Sequence, residues 1–288
     1  MKNGRKATMK QMLASYRRSP SSLMLRILVI LAAATTAFVL LTIIGYIVMR
    51  GIPHINAGLF AWEYTTENVS MMPAVINTIT MTALALALAV PIGIFSAIYL
   101  VEYARRGNRL VSLVRITAET LSGIPSIVYG LFGFLLFAIS LGWGLTFLGG
   151  ALTLAVMILP LVMRTTEEAL IAVPDMYREG SFGLGAGKLR TVFQIVLPAA
   201  IPGILAGVIL SIGRIVGETA ALIFSAGTIA GVPSSLMDSG RTLSVHMYAL
   251  LSEGLYMDEA YATAVVLLLL VVVINTLSAV VARAFSRR

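Results

Sequence analysis

The sequence predicts an all-α polytopic membrane protein with six transmembrane helices and both termini in the cytosol. Three observations predict it. Of the 288 residues, 58% are hydrophobic and only 12% are charged, far from the composition of a soluble domain. Six apolar runs are each long enough to cross the bilayer core, which takes about 20 helical residues. The basic residues gather on one set of alternate connections, as the positive-inside rule requires.

Composition also excludes some functions. A net charge of +8 would suggest nucleic acid in a soluble chain, but beside apolar runs membrane lipid accounts for it. No nucleic-acid partner is expected. There is no cysteine, hence no disulfide framework and no thiolate metal site. Two isolated histidines, His54 and His246, do not make a metal site, and no cofactor is expected.

Residues 1–22 read as a polar, basic cytosolic tail. Leu23 to Met49 is the first apolar run, too long for a signal-peptide core and followed by no clear cleavage site. Residues 50–72 form a polar extracytoplasmic connection with Trp62, Glu63, Tyr64 and Glu67. Pro73 to Val101 is the second span, carrying Asn77, Thr78, Thr80 and Thr82 inside it. The third runs roughly from Leu113 to Ser140, and the fourth ends near Met163 after a Gly142-Trp-Gly144 turn. Ala199 to Ser225 is the fifth and Ala260 to Ala282 the sixth. In domain terms, the tail (1–22) and first span with its connection (23–72) precede a five-helix core, 73–283.

With the N-terminus in the cytosol, every basic residue but Arg50, Arg214 and Arg241 lies in or beside a cytosolic segment. The same orientation puts Arg164–Pro198 in the cytosol. This stretch lies between apolar runs yet holds Arg164, Glu167, Glu168, Asp175, Arg178, Glu179, Lys188 and Arg190, too many charges for lipid. Pro174-Asp175 reads as a helix start with Asp175 as N-cap. Met176–Leu184 then forms about two turns. Gly185-Ala186-Gly187 supplies residues able to take positive φ. Lys188–Val196 forms a second short helix before Leu197-Pro198. Helix, glycine turn, helix on one side of a membrane is a docking element; an ordinary solvated loop is the plainer alternative.

The spacing Glu179-Gly180-Ser181, three residues, Gly185, nine residues, Ile195, one residue, Leu197-Pro198 resembles the EAA loop of importer-type ABC permeases. That family usually has two alanines where this chain has Gly180 and Ser181, so small size is kept. The resemblance implies that Glu179, Gly180, Ser181, Gly185, Ile195, Leu197 and Pro198 dock a cytoplasmic ATPase. Gly183 to Lys188 has some flavour of a phosphate-binding loop. A Walker A motif would need glycine at Phe182 and Ser or Thr at Leu189, so nucleotide hydrolysis is expected from a partner.

Arg214 stands near the middle of the fifth run, with Glu218 four residues on. In a continuous helix the two share a face with Ser211, Leu222 and Ser225. Such charges must face protein or a watery path, and a planar guanidinium suits a tetrahedral oxyanion. A buried ion pair that only fixes packing is the alternative. In the third run, Glu119, Ser122 and Ser126 share a helical stripe where Gly123 and Pro125 weaken the helix. A cavity lining and a kinked packing interface fit that stretch equally well.

Glu119-Thr-Leu-Ser-Gly-Ile-Pro-Ser-Ile-Val-Tyr-Gly130, Arg214-Ile-Val-Gly-Glu-Thr-Ala220, Arg241-Thr-Leu-Ser-Val-His246 and Ala260-Tyr-Ala-Thr-Ala264 are together similar to the PstA-type permeases of bacterial phosphate importers. The similarity covers roughly residues 70–283 and implies the type-1 ABC importer permease fold. It also implies location in the bacterial cytoplasmic membrane; on the residue reading above, Arg214, Glu218, Ser211, Thr219, Glu119, Ser122 and Ser126 are the candidates for the cargo path. Its implied partners are a PstC-type sister permease, two PstB-type ATPase subunits and an extracytoplasmic PstS-type phosphate-binding protein. Segment 226–258 would face that binding protein or lie as a lid over the helix ends. From the residues alone, a permease for another oxyanion, an ion-gradient-driven transporter and a membrane scaffold stay open.

Overall fold

A computed structural model describes residues 20–286 apart from Arg106. The predicted tail therefore lies almost wholly outside the described residues. Helix α1, Pro20–Gly51, is essentially the whole described part of one compact unit, residues 1–50. At 32 residues it is about 48 Å long, enough to cross hydrocarbon with tilt to spare.

The second unit begins at Gly51. Two short 3₁₀ turns, Ile52–His54 and Ala57–Phe60, lead into α2, Met72–Ile98, which widens into a π turn at Tyr99–Tyr103. Then come α3, Arg109–Ser122, and α4, Ser126–Gly133, the latter prolonged by π-helical Phe134–Ser140. Helix α5, Phe147–Ile171, is central and packs against α2, α3, α4 and the later stretches Leu197–Val216 and Ala220–Ser225. The remaining helices are α6, Asp175–Gly183; α7, Lys188–Thr191; α8, Leu197–Val216; α9, Ala220–Ser225; α10, Leu243–Glu253; and α11, Met257–Ser286. Among the described residues there is no β-strand.

The core follows from small residues on facing helices. Ala85 and Ala89 of α2 meet Ala151, Leu154, Ala155 and Ile158 of α5, with Ile215 and Leu222 closing the cluster. A Cβ on Gly207 would fall 2.0 Å from the Thr165 hydroxyl, so glycine lets α8 approach α5 closely. With lipid as apolar as leucine, such close contact holds membrane helices together.

Two of the predicted spans have a different form. Among the described residues, five helical stretches are long and apolar enough to cross a membrane, and α3 with α4 makes a sixth only as a pair bent by 103°. Pro125 cannot donate an amide hydrogen and disfavours helix at Ile124. The Tyr129 hydroxyl donates to the Leu121 carbonyl at 2.7 Å across the bend and pins it. The fifth run is displaced. Lys188–Val216 forms one 29-residue stretch, so the docking element's second helix continues into the membrane through Pro198. Pro198 offers no amide to the Gln194 carbonyl; the helix widens there into a π turn, Val192–Val196, and carries on. It then stops at Val216, and Gly217, Glu218 and Thr219 separate it from α9.

Candidate functional site

The charged helix–turn–helix, α6 to α7, is built around one arginine. Asp175 opens α6 as its first helical residue rather than its N-cap; Pro174 holds the cap position, with no side-chain cap bond. Proline pre-sets the entry, leaving the Asp175 carboxylate to bind Arg178 at 3.1 Å. Arg178 also donates to Glu102 of the α2 π turn at 2.7 and 3.1 Å, and to the carbonyls of Leu170 at 2.9 Å and Val173 at 2.8 Å. It thus ties α6 to the ends of α2 and α5 and satisfies carbonyls that a helix end leaves open. Sequence reasoning missed this hub, because Glu102 and Arg178 lie far apart in the chain.

The predicted motif positions have distinct places. Ser181 is buried, its hydroxyl 2.8 Å from that of Thr191, clamping α6 to α7. Glu179 and Gly180 are exposed, and open space lies where a Gly180 side chain would be. Gly185 has φ +80°, as the turn demands, and its amide donates to Phe182 at 2.9 Å. Gly187 instead takes φ −73°, an extended cap that any residue adopts. Ile195, in the widened stretch, and Leu197, the first residue of α8, are half-buried, and Pro198 is exposed. Outward stand Met176, Tyr177, Phe182, Leu189 and Leu184, the last 90% exposed.

The predicted pathway residues do not form one line. The break after Val216 separates Arg214 from Glu218, and among the described residues no ion pair joins them. Glu218 is buried and caps α9, accepting from the Ala221 amide at 3.0 Å; its backbone carbonyl accepts from the Ser244 hydroxyl at 2.6 Å. Thr219 occupies the turn before α9. Ser211 is buried and returns its hydrogen bond to Gly207 at 2.9 Å. Arg214 is half-buried, has no hydrogen bond or ion pair among the described residues, and lines a cavity of about 670 Å³ with Leu161, Ile209, Leu210 and Asn275. Glu119 and Ser122 stay on exposed α3, where Ser122 donates to the Glu119 carbonyl at 2.7 Å, while the bend carries Ser126 to the start of α4. Their common stripe is lost at Gly123.

A polar cluster with partial sequence signal joins α2 to the stretch before α10. Asn77 of α2 donates to the carbonyls of Gly231 at 2.8 Å and Arg241 at 3.0 Å, and Thr78 accepts from the Leu243 amide at 2.8 Å. These bonds pin segment 226–242 over the helix ends. Arg241 is buried with its guanidinium 4.8 Å from the Tyr64 ring centroid. His246 is wholly buried; desolvation first, then the Arg241 charge, pushes its imidazole down to about 3, against a backbone contact with Val69 that raises it. It is a neutral packing residue at physiological pH.

Apolar spans pack around a central helix, with a charged helix–turn–helix inserted between two of them. Solved structures have the same fold. The chain superposes on the MetNI methionine ABC transporter in an inward-facing conformation with a TM-score of 0.59 at 20% identity, over 74% of this chain and 93% of that one. On a bacterial ABC transporter involved in import of the acidic polysaccharide alginate, the TM-score is 0.67 at 16% identity, over 95% and 99% of the two chains. The chain belongs to the family of binding-protein-dependent transport system inner membrane components, whose profile matches residues 89–288. Its relatives include the probable ABC transporter permease protein YqgI of Bacillus subtilis, 34% identical over 66% of this chain and 65% of that protein. The phosphate transport system permease protein PstA 1 of Mycobacterium tuberculosis is 44% identical over 51% of this chain and 48% of its own length. PstA of Yersinia pestis is 36% identical over 68% of each. The matches span from about half to two thirds of these relatives' length.

Proposed function

We propose that this chain is the PstA-type permease subunit of an ATP-driven phosphate importer in the bacterial cytoplasmic membrane. Segments 102–115 and 164–198 and both termini then face the cytosol. The observation that carries the reading is the α6–α7 element, whose exposed Leu184 and Met176 stand beside Glu179 on a base braced by Arg178. Exposed apolar side chains on a rigid charged base are what a protein partner buries. That partner is a pair of PstB-type ATPase subunits, which hydrolyse ATP; the chain itself performs no catalysis. A PstC-type permease completes the path, and a PstS-type binding protein delivers phosphate to the segment following Ser225.

Within the path, Arg214 supplies the anion donors, because it lines a cavity and Glu218 is engaged with the Ala221 amide instead. Co-expression with the three partner types tests the reading. The expected result is co-purification of the ATPase and ATP-dependent phosphate uptake in proteoliposomes. Uptake of another oxyanion in preference to phosphate would reassign the cargo. Uptake driven by an ion gradient without the ATPase would overturn the mechanism.

A further inference from the structure

We propose that the cleft between the α2 π turn and α3 is a binding site for an anionic phospholipid of the cytosolic leaflet. Two cavities meet there. One, of about 800 Å³, is lined by Glu102, Arg105, Arg109, Arg115 and Arg178. The other, of about 440 Å³, is lined largely by Phe95, Tyr99, Leu110 and Val114. They share Leu100, Asn108 and Val111, so a basic chamber opens directly onto an apolar groove.

The charges in the chamber are unevenly used. Arg178 is held by Glu102 and Asp175, and Arg115 by Glu167. Arg105 and Arg109 are exposed and have no ion-pair partner among the described residues. Two free guanidinium groups at the mouth of a polar chamber are complementary to a phosphodiester.

The adjoining groove decides between a lipid and a free anion. Phe95, Tyr99 and Leu110 are 61%, 57% and 69% exposed, an apolar wall that a free phosphate leaves uncovered and an acyl chain covers. Helix α3 supports this placement: Arg109, Ser112 and Arg115 follow one face and Leu110, Leu113 and Val114 the other, as in helices lying at a membrane interface. Basic pockets between helices on the cytosolic side suit anionic headgroups. The inference goes beyond transport itself and rests only on the cytosolic placement of residues 102–115.

The test uses the full-length chain in mixed micelles, with phosphatidylglycerol and phosphatidylcholine of equal chain length as competing probes in native mass spectrometry. Each arginine near an anionic surface is worth roughly fivefold in partition. Phosphatidylglycerol should therefore be retained about 25-fold over phosphatidylcholine, and the R105Q/R109Q variant should lose that preference. Arg190→Gln, which removes an exposed cytosolic-side charge elsewhere, should keep it. A phosphatidylglycerol carrying a photoreactive group in its acyl chain should label peptides containing Tyr99 or Val114. Equal retention of both lipids, an unchanged preference in R105Q/R109Q, or labelling confined to other segments would overturn the proposal. So would displacement of the lipid by millimolar inorganic phosphate, which would mark a free-anion site. Loss of the bound lipid when the ATPase assembles on the chain would mark the cleft as part of a protein interface, and would overturn it too.

Discussion

The α6–α7 element and the break after α8 both hold an arginine close in sequence to an acid, and they use it in opposite ways. In α6, Arg178 takes two carboxylates and two backbone carbonyls and is only 15% exposed. At the break, Arg214 takes neither, because Glu218 turns away to cap α9. A group fully bonded within its own chain stiffens the parts it joins. A guanidinium with donors to spare keeps them for something that is not yet there. On the proposed function the first transmits force from the ATPase and the second meets the anion.

That contrast can be broken at its strongest point by removing Arg178. Taking away one member of a nearly buried ion pair leaves the other uncompensated, at about 3–5 kcal/mol. Arg178→Ala and Glu102→Ala should each lower thermal stability by that order and weaken co-purification of the ATPase. Unchanged melting of both variants would show that the hub does not brace the element.

Next in size is Arg214. Hydrogen bonds to a charged group contribute about 1.5–3 kcal/mol, so Arg214→Gln should cut phosphate uptake roughly tenfold to a hundredfold. Assembly and protein level should stay normal. Arg214→Lys should recover only part, since a point charge lacks the planar fork. Because Glu218 is engaged elsewhere, the double variant R214Q/E218Q should not regain uptake. Recovery there would mean that the two residues pair in the working transporter.

The polar cluster around Arg241 adds a pH test. His246 sits at about 3 in the folded chain against an ordinary value of 6.5, so the open state takes the proton first as pH falls. Stability from its neutral burial is complete above 6.5 and declines on acidification toward 3. At pH 5 the loss is about 2 kcal/mol, visible as faster hydrogen exchange in segment 226–246. His246→Gln should flatten that dependence; an unchanged slope would assign it to another group.

Gly185 sharpens the comparison from the other side. Its φ of +80° costs a β-branched residue about 1–2 kcal/mol, while nothing crowds the position. Gly185→Val should therefore reduce uptake without impairing membrane insertion, and Gly185→Asn should be milder because asparagine tolerates that conformation. Gly187→Ala should be silent. Equal damage from Val and Asn would point to contact with a partner rather than to backbone strain.

Much of the molecule was legible in the order of its residues. Apolar runs locate spans because the bilayer leaves a long segment little choice but helix. The Gly185 turn and the start at Pro174 are local, decided by neighbouring residues' own conformational preferences. The bend at Gly123–Pro125 was visible as a weakness, but its 103° angle depends on what α4 packs against and on the Tyr129–Leu121 bond. The break after Val216 was invisible. Its residues continue a helical pattern, and the Glu218 cap and the Ser244 hydroxyl, 26 positions away, help hold the interruption. The Arg178–Glu102 hub, 76 positions apart, was hidden for the same reason. By itself the sequence determined the membrane class, most of the apolar spans and the local turns, because those follow from short-range preference and from lipid as solvent. Tertiary structure alone decided which charges are spent and which stay free, because a charge is satisfied by whatever folding brings within about 3 Å of it.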